Sequence, residues 1–167
     1  SGSASKSIGL NLVAQEALEH AKGLDRPIFQ PMVQGREFSA ETWINSSGKC
    51  HGMLLRWRTK IIDGEAHETE IFENQEWQKL LKSTFEAIPG LSGHALAQVI
   101  VDPEQSLHLI EINPRLGGAS PLALAAGLNS IEWFLLQSAK RGSEIPANPK
   151  LNKKLKLRKV NGEAIIS

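Results

Sequence analysis

Leu109-Ile110-Glu111-Ile112-Asn113-Pro114-Arg115 is the stretch on which the reading of this chain turns. Side chains alternate faces along a strand, so Leu109, Glu111 and Asn113 are expected to point the same way. A carboxylate and an amide oxygen two residues apart on one face form a hard-oxygen pair suited to Mg2+. The preceding extended run, 94–101, carries Gln98 as a polar residue among Ala95, Leu96, Ala97, Val99 and Ile100. If 102–106 joins two neighbouring antiparallel strands, Gln98 lies near Glu111. Pro114 breaks the strand, and Arg115 then projects where a guanidinium can clamp a phosphate. Read alone, Glu-x-Asn-x-Arg equally describes a surface strand end with a solvated Glu and a salt-bridged Arg, so the rest of the chain has to decide.

Working outward, the chain has 167 residues, 41% of them apolar, which is one ordinary domain with room for a real core. Nineteen Lys and Arg oppose eighteen Asp and Glu, for a net charge of +1. That balance argues against a dedicated nucleic-acid binder. The single cysteine, Cys50, excludes an internal disulfide framework and a Cys-based metal cluster. Apolar stretches are far below membrane-spanning length and no charged-then-apolar signal opens the chain, so a cytoplasmic protein without a membrane partner is expected. The opening Ser1-Gly2-Ser3-Ala4-Ser5-Lys6 has no initiator Met and reads as an excerpt from a longer protein.

The apolar run 8–13 is expected as a strand, followed by a helix over 14–22 that Gly23 stops. Residues 27–33 form a short apolar run, which Pro31 makes an edge strand or a connection. Extended runs at 37–45, 49–62 and 65–71 are joined by Ser46-Ser47-Gly48 and Asp63-Gly64, connections too short for a crossover, so these strands are antiparallel. Asn74 caps a helix with Trp77, Leu80, Leu81, Phe85 and Ile88 on one face, ended by Pro89-Gly90. Strands at 94–101 and 107–112 follow. Ser120 with Pro121 starts a short helix closed by Gly127; Asn129 with Glu132 reads as a capping box for the next. The last segment is a hairpin, 155–159 and 163–166, turning at Asn161-Gly162. Helices interspersed with hairpins predict an α+β fold, an antiparallel sheet with flanking helices.

Three other places bear on chemistry. Ser1–Lys6 is either a flexible leader or a small-residue loop presenting backbone N–H groups to phosphates, with Lys6 adding a cation. Phe29-Gln30-Pro31-Met32-Val33 offers the free backbone edge and apolar walls that an adenine requires, and Glu37 soon after is a candidate for ribose hydroxyls. Gly117-Gly118-Ala119-Ser120-Pro121 is either a plain turn and cap or an anion site at a helix start. Arg56 and Arg58 share one strand face, either solvated or set to meet a phosphate or an acidic substrate. Cys50 and His51 point apart on a strand, His20, His67, His94 and His108 have no metal-ligand spacing, and no nucleophile elbow occurs.

In this order, the small-residue loop, Gln30-Pro-Met-Val with Gly35-Arg-Glu37, Gln98, and Glu111-Ile-Asn113-Pro-Arg115 resemble the ATP-grasp superfamily. They are most similar to its carbamoyl-phosphate-synthase-like branch, and the likeness spans nearly the whole chain. The resemblance implies an ATP-binding cleft between two α+β subdomains: 1–34 the remainder of the small one, 35–167 the large one with C-terminal helices and hairpin. It gives Ser3, Ala4, Ser5 and Lys6 the β- and γ-phosphates, Gln30, Pro31, Met32 and Val33 the adenine, Glu37 the ribose, and Leu109 a wall under the base. Gln98, Glu111 and Asn113 would carry Mg2+, or Mn2+ in its place, and Arg115 would meet the transferred phosphate. Gly117, Gly118 and Ser120, with Arg56, would face the second substrate. The family's upstream strand and lysine do not occur ahead of Ser3, so an N-terminally incomplete domain is expected, its missing portion supplied by the same protein. The implied activity is ATP-dependent ligation of a small-molecule carboxylate to an amine or ammonia. A homodimer, a carbamoyl-phosphate-synthase-like subunit with a partner chain, and a non-catalytic nucleotide-binding domain are the other arrangements the likeness allows.

Overall fold

The computed structural model describes residues 8–167. The chain divides into two compact units, Ser1–Gln34 and Gly35–Ser167. Ser3, Ala4, Ser5 and Lys6, expected as a phosphate loop, lie outside the described residues. In the first unit helix α1 (Ala14–Ala21) buries none of its residues. Residues 8–13, expected as a strand, and 27–33, expected as an edge strand or a connection, are in no strand. An extended segment becomes a strand only when a neighbour takes up its backbone hydrogen bonds, and among the described residues this unit contains no such neighbour. Ile28, Phe29 and Met32 are accordingly exposed.

The second unit is built on seven antiparallel strands: β1 (Arg36–Ile44), β2 (Cys50–Ile62), β3 (Glu65–Phe72), β4 (Gly93–Val101), β5 (Leu107–Asn113), β6 (Lys156–Val160) and β7 (Glu163–Ile166). Their order across the sheet is β5-β4-β1-β2-β3-β6-β7. Short turns fix the hairpins. Asn45 Oδ1 accepts from the backbone N–H groups of Ser47 and Lys49, closing the β1–β2 turn. Asn161 and Gly162, at φ 50° and 86°, take the left-handed pair of angles that suits strand twist in a two-residue hairpin.

One sheet face packs on α2 (Gln75–Glu86), where Phe38, Ala40, Leu55, Ala97 and Val99 meet Leu81 and Phe85. Phe38 stacks on Trp77 with ring centroids 5.4 Å apart and meets Trp57 and Phe72 edge-on. Helix α2 starts where Asn74 Oδ1 accepts from the Trp77 N–H at 3.0 Å. The other face packs on α3 (Ser120–Ala125) and α4 (Ser130–Ser138) through Trp43, Leu54, Ala123, Leu128 and Trp133. Covered on both sides, β1 is buried from Phe38 to Ile44.

Two helix starts differ from expectation. Ala119, not Ser120, is the N-cap of α3. Asn129 makes no side-chain cap bond to α4; its amide donates instead to the Glu132 carboxylate, so a side-chain pair replaces the capping box. Among the described residues no helix is long and apolar enough to cross a membrane.

Candidate active site

The α3/α4-side face of the sheet collects the polar residues. On β1, Glu37, Ser39 and Glu41 alternate with the core residues Phe38 and Ala40. Across the ladder Ser39 is opposite Gln98 on β4 and Arg56 on β2. Gln98 is in turn directly opposite Glu111 on β5, and Leu96 is opposite Asn113. Directly paired residues share a face, so the structure brings Gln98, Glu111 and Asn113 together on one side of the sheet.

Leu109 does not join them. The register runs Gln98 to Glu111 and then Val99 to Leu109, leaving Ile110 as the extra residue of a bulge. The two-residue alternation fails by one step there. Leu109 is thereby paired with Val99, a core residue of the α2 side, and the expectation that it points the same way as Glu111 and Asn113 is corrected. Ile100, opposite Glu37, is the apolar residue in the Glu37–Gln98 neighbourhood.

Beside this row lies a cavity of about 110 Å³ lined by Ser39, Arg56, Arg58, Gln98, Asn113, Arg115 and the Gly117-Gly118 turn, among others. Ser120 is not part of it. It is buried, and its Oγ accepts from the Gly117 N–H at 2.8 Å, which ties the hydroxyl to the turn.

The two β2 arginines are held differently. Arg56 donates through Nε to Glu41 Oε1 at 2.6 Å, both side chains almost fully buried. Its Nη1 is buried without a hydrogen-bond partner. His94 Nε2 stands 3.2 Å from Glu41 Oε2, and His94 Nδ1 meets Ser130 Oγ at 2.9 Å. Burial works against an ionised Glu41, but the Arg56 charge, with His94 and Ser120, outweighs it and holds the carboxyl at about 2. Arg58 bonds the Glu37 carboxylate through Nη1, which also donates to Gln98 Oε1 at 2.8 Å; Nη2 donates to the Gly64 carbonyl. Sequence reasoning placed Arg58 on the right face and gave it no partner. The polar alternation of Glu37, Ser39 and Glu41 was the available signal, but strand pairing decides which arginine meets which carboxylate.

The residues present suit a hard divalent cation in part. Glu111 and Asn113 bring a carboxylate and an amide, and Asn113 Nδ2 donates to Glu111 Oε1 at 2.7 Å, which leaves the amide oxygen to a metal. Gln98 does not fit in the same way, because its carbonyl oxygen already accepts from a guanidinium. Among the described residues no group of three His, Cys, Asp or Glu side chains forms a metal site.

The antiparallel fold of the second unit is shared with solved structures of other proteins. The biotin carboxylase domain of Hydrogenobacter thermophilus 2-oxoglutarate carboxylase, solved with MgADP, ADP and bicarbonate, superposes with a TM-score of 0.63 at 14% identity over 77% of this chain and 30% of that one. L-amino acid ligase from Bacillus licheniformis gives 0.58 at 17% identity, over 76% and 36%. N5-carboxyaminoimidazole synthetase from Staphylococcus aureus gives 0.56 at 14%, over 77% and 35%. This chain thus spans about a third of the length of these structures. Comparison with curated proteins yields no match. A sequence profile described as ATP-grasp in the biosynthetic pathway with Ter operon matches residues 25–163. The chain belongs to this ATP-grasp family, and its fold is a portion of the ATP-grasp domain.

Proposed function

We propose that this chain carries the nucleotide- and Mg2+-binding part of an ATP-dependent ligase that activates a carboxylate for attack by an amine or ammonia. The observation that carries the reading is the meeting of the Glu111–Asn113 pair and a cavity lined by Arg56, Arg58 and Arg115 on one sheet face. In the reaction a carboxylate oxygen attacks the γ-phosphorus, the bond to the ADP oxygen breaks, and ADP leaves. The amine nitrogen then attacks the acyl carbon, phosphate departs, and the nitrogen loses a proton. No protein nucleophile is needed, so positioning and charge neutralisation supply the catalysis. When bound, Mg2+, or Mn2+ in its place, would supply charge neutralisation for the phosphates.

Glu111 and Asn113 would hold that ion. Arg115 would neutralise the transferred phosphoryl group, and the incompletely bonded Arg56 guanidinium would receive an anionic group in the cavity. Gly117 and Gly118 leave the turn open to a second substrate. Glu37 would take the ribose, Gln30, Pro31, Met32 and Val33 the base, and Ser3, Ala4, Ser5 and Lys6 the phosphates. Action as a homodimer belongs to the same reading. The amide at Gln98 favours a second one, a carbamoyl-phosphate-synthase-like subunit working with a partner chain; an ammonia-supplying partner would separate the two.

In the full-length protein, ADP release should depend on Mg2+ and on an added carboxylate and amine. Glu111→Gln or Asn113→Ala should abolish it while the circular dichroism spectrum is unchanged. Undiminished turnover in both variants removes the metal assignment, and nucleotide binding without ADP release across substrate panels favours a non-catalytic domain.

A further inference from the structure

We infer that the Arg58 guanidinium occupies the place where Gln98 would otherwise hold a second divalent cation, so that a single divalent cation binds, on Glu111 and Asn113. The inference rests on the ligase reading above and deepens it. Gln98 is opposite Glu111 in the ladder, the position from which an amide oxygen would hold a cation shared with that carboxylate. The oxygen is engaged: Gln98 Oε1 accepts from Arg58 Nη1 at 2.8 Å. Arg58 is fixed by two further acceptors, the Glu37 carboxylate and the Gly64 carbonyl. Its side chain is only 5% exposed.

A divalent ion on Gln98 Oε1 would lie against this guanidinium, and like charges that close in a poorly solvated site repel strongly. Displacing Arg58 would strip the partly buried Glu37 carboxylate of its partner. The chemistry of Gln98 agrees. A neutral amide oxygen is a modest ligand for a hard cation but a good acceptor for a guanidinium, which keeps its charge and need not be loaded from solution. Charge supply agrees as well. Glu37 is paired with Arg58, Glu41 with Arg56 and Glu65 with Lys159. Among the described residues of this face that leaves Glu111 as the carboxylate without a cationic partner, so the protein's own free negative charge lies with Glu111 rather than at Gln98.

The test counts metal rather than turnover. The full-length protein, saturated with the non-hydrolysable β,γ-imido analogue of ATP, is titrated with Mn2+ while free Mn2+ is read by electron paramagnetic resonance. One protein-dependent Mn2+ per bound nucleotide is expected. Gln98→Ala should keep that count, Glu111→Gln should weaken the binding by roughly tenfold or more, and Arg58→Met should admit a second ion. Two Mn2+ in the unmodified protein, or loss of Mn2+ on Gln98→Ala, overturns the inference while leaving the ligase reading in place. If Arg58→Met fails to fold, the unmodified count and Gln98→Ala still decide. Failure of the analogue to bind overturns the ATP reading and this inference together.

Discussion

A carboxylate sealed from water stays ionised only when neighbours hold its charge, and Glu41 has Arg56, His94 and Ser120 around it. Its carboxyl is held at about 2, against an ordinary value of 4.5. The folded state therefore binds this proton less readily than the unfolded chain. The contribution to stability is complete above pH 4.5 and is lost as the pH falls towards 2. It amounts to about 3 kcal/mol. Urea unfolding followed across that window should show the loss, and Glu41→Gln should flatten it. Arg56→Met removes the partner of a buried anion and should cost roughly 3–5 kcal/mol, whereas Arg56→Met with Glu41→Gln should cost clearly less. A double-mutant cycle in urea measures the difference; additive losses would mean the pair is not coupled. At this scale the sequence showed which residues were polar on an apolar strand. It could not show that Glu41 and Arg56 neutralise each other, because the two are joined only by the β1–β2 register.

Elements whose signals are local were legible: the cap at Asn74, the turns at Asp63-Gly64 and Asn161-Gly162, and the break at Pro114. Asn74→Ala removes the acceptor for the Trp77 N–H. It should cost about 1 kcal/mol in thermal unfolding, and Asn74→Asp should retain most of it. The β5 bulge was not legible. No glycine or proline marks Ile110, and the extra residue exists only relative to the pairing with β4. The strand expected at 8–13 failed for a related reason, and 27–33 took the connection rather than the edge strand. Apolar content suggests an extended segment, but membership of a sheet depends on a partner that the segment itself does not encode.

For the whole molecule, the α+β class and the antiparallel sheet could be read from short connections between extended runs. The order of strands could not. β1 pairs with β4 across an intervening hairpin and helix, and β3 pairs with β6 far along the chain, Glu68 with Arg158. Those partners are chosen by burial on both faces, a property of the assembled sheet. The placement of β1 between β2 and β4, with α2 on one side and α3 and α4 on the other, has a dynamic consequence. In deuterated buffer the peptide hydrogens of Phe38–Ile44 should persist longest, released only when the entire unit opens. Those of β7, at the rim and with Glu163, Ala164 and Ile165 bathed in solvent, should wash out first as that margin peels away. Glu37 and Gln98 ride on this slow centre and its neighbour β4, whereas Glu111 and Asn113 lie on β5 at the opposite rim, so the proposed cation pair sits on a margin that opens more readily than the strand it faces.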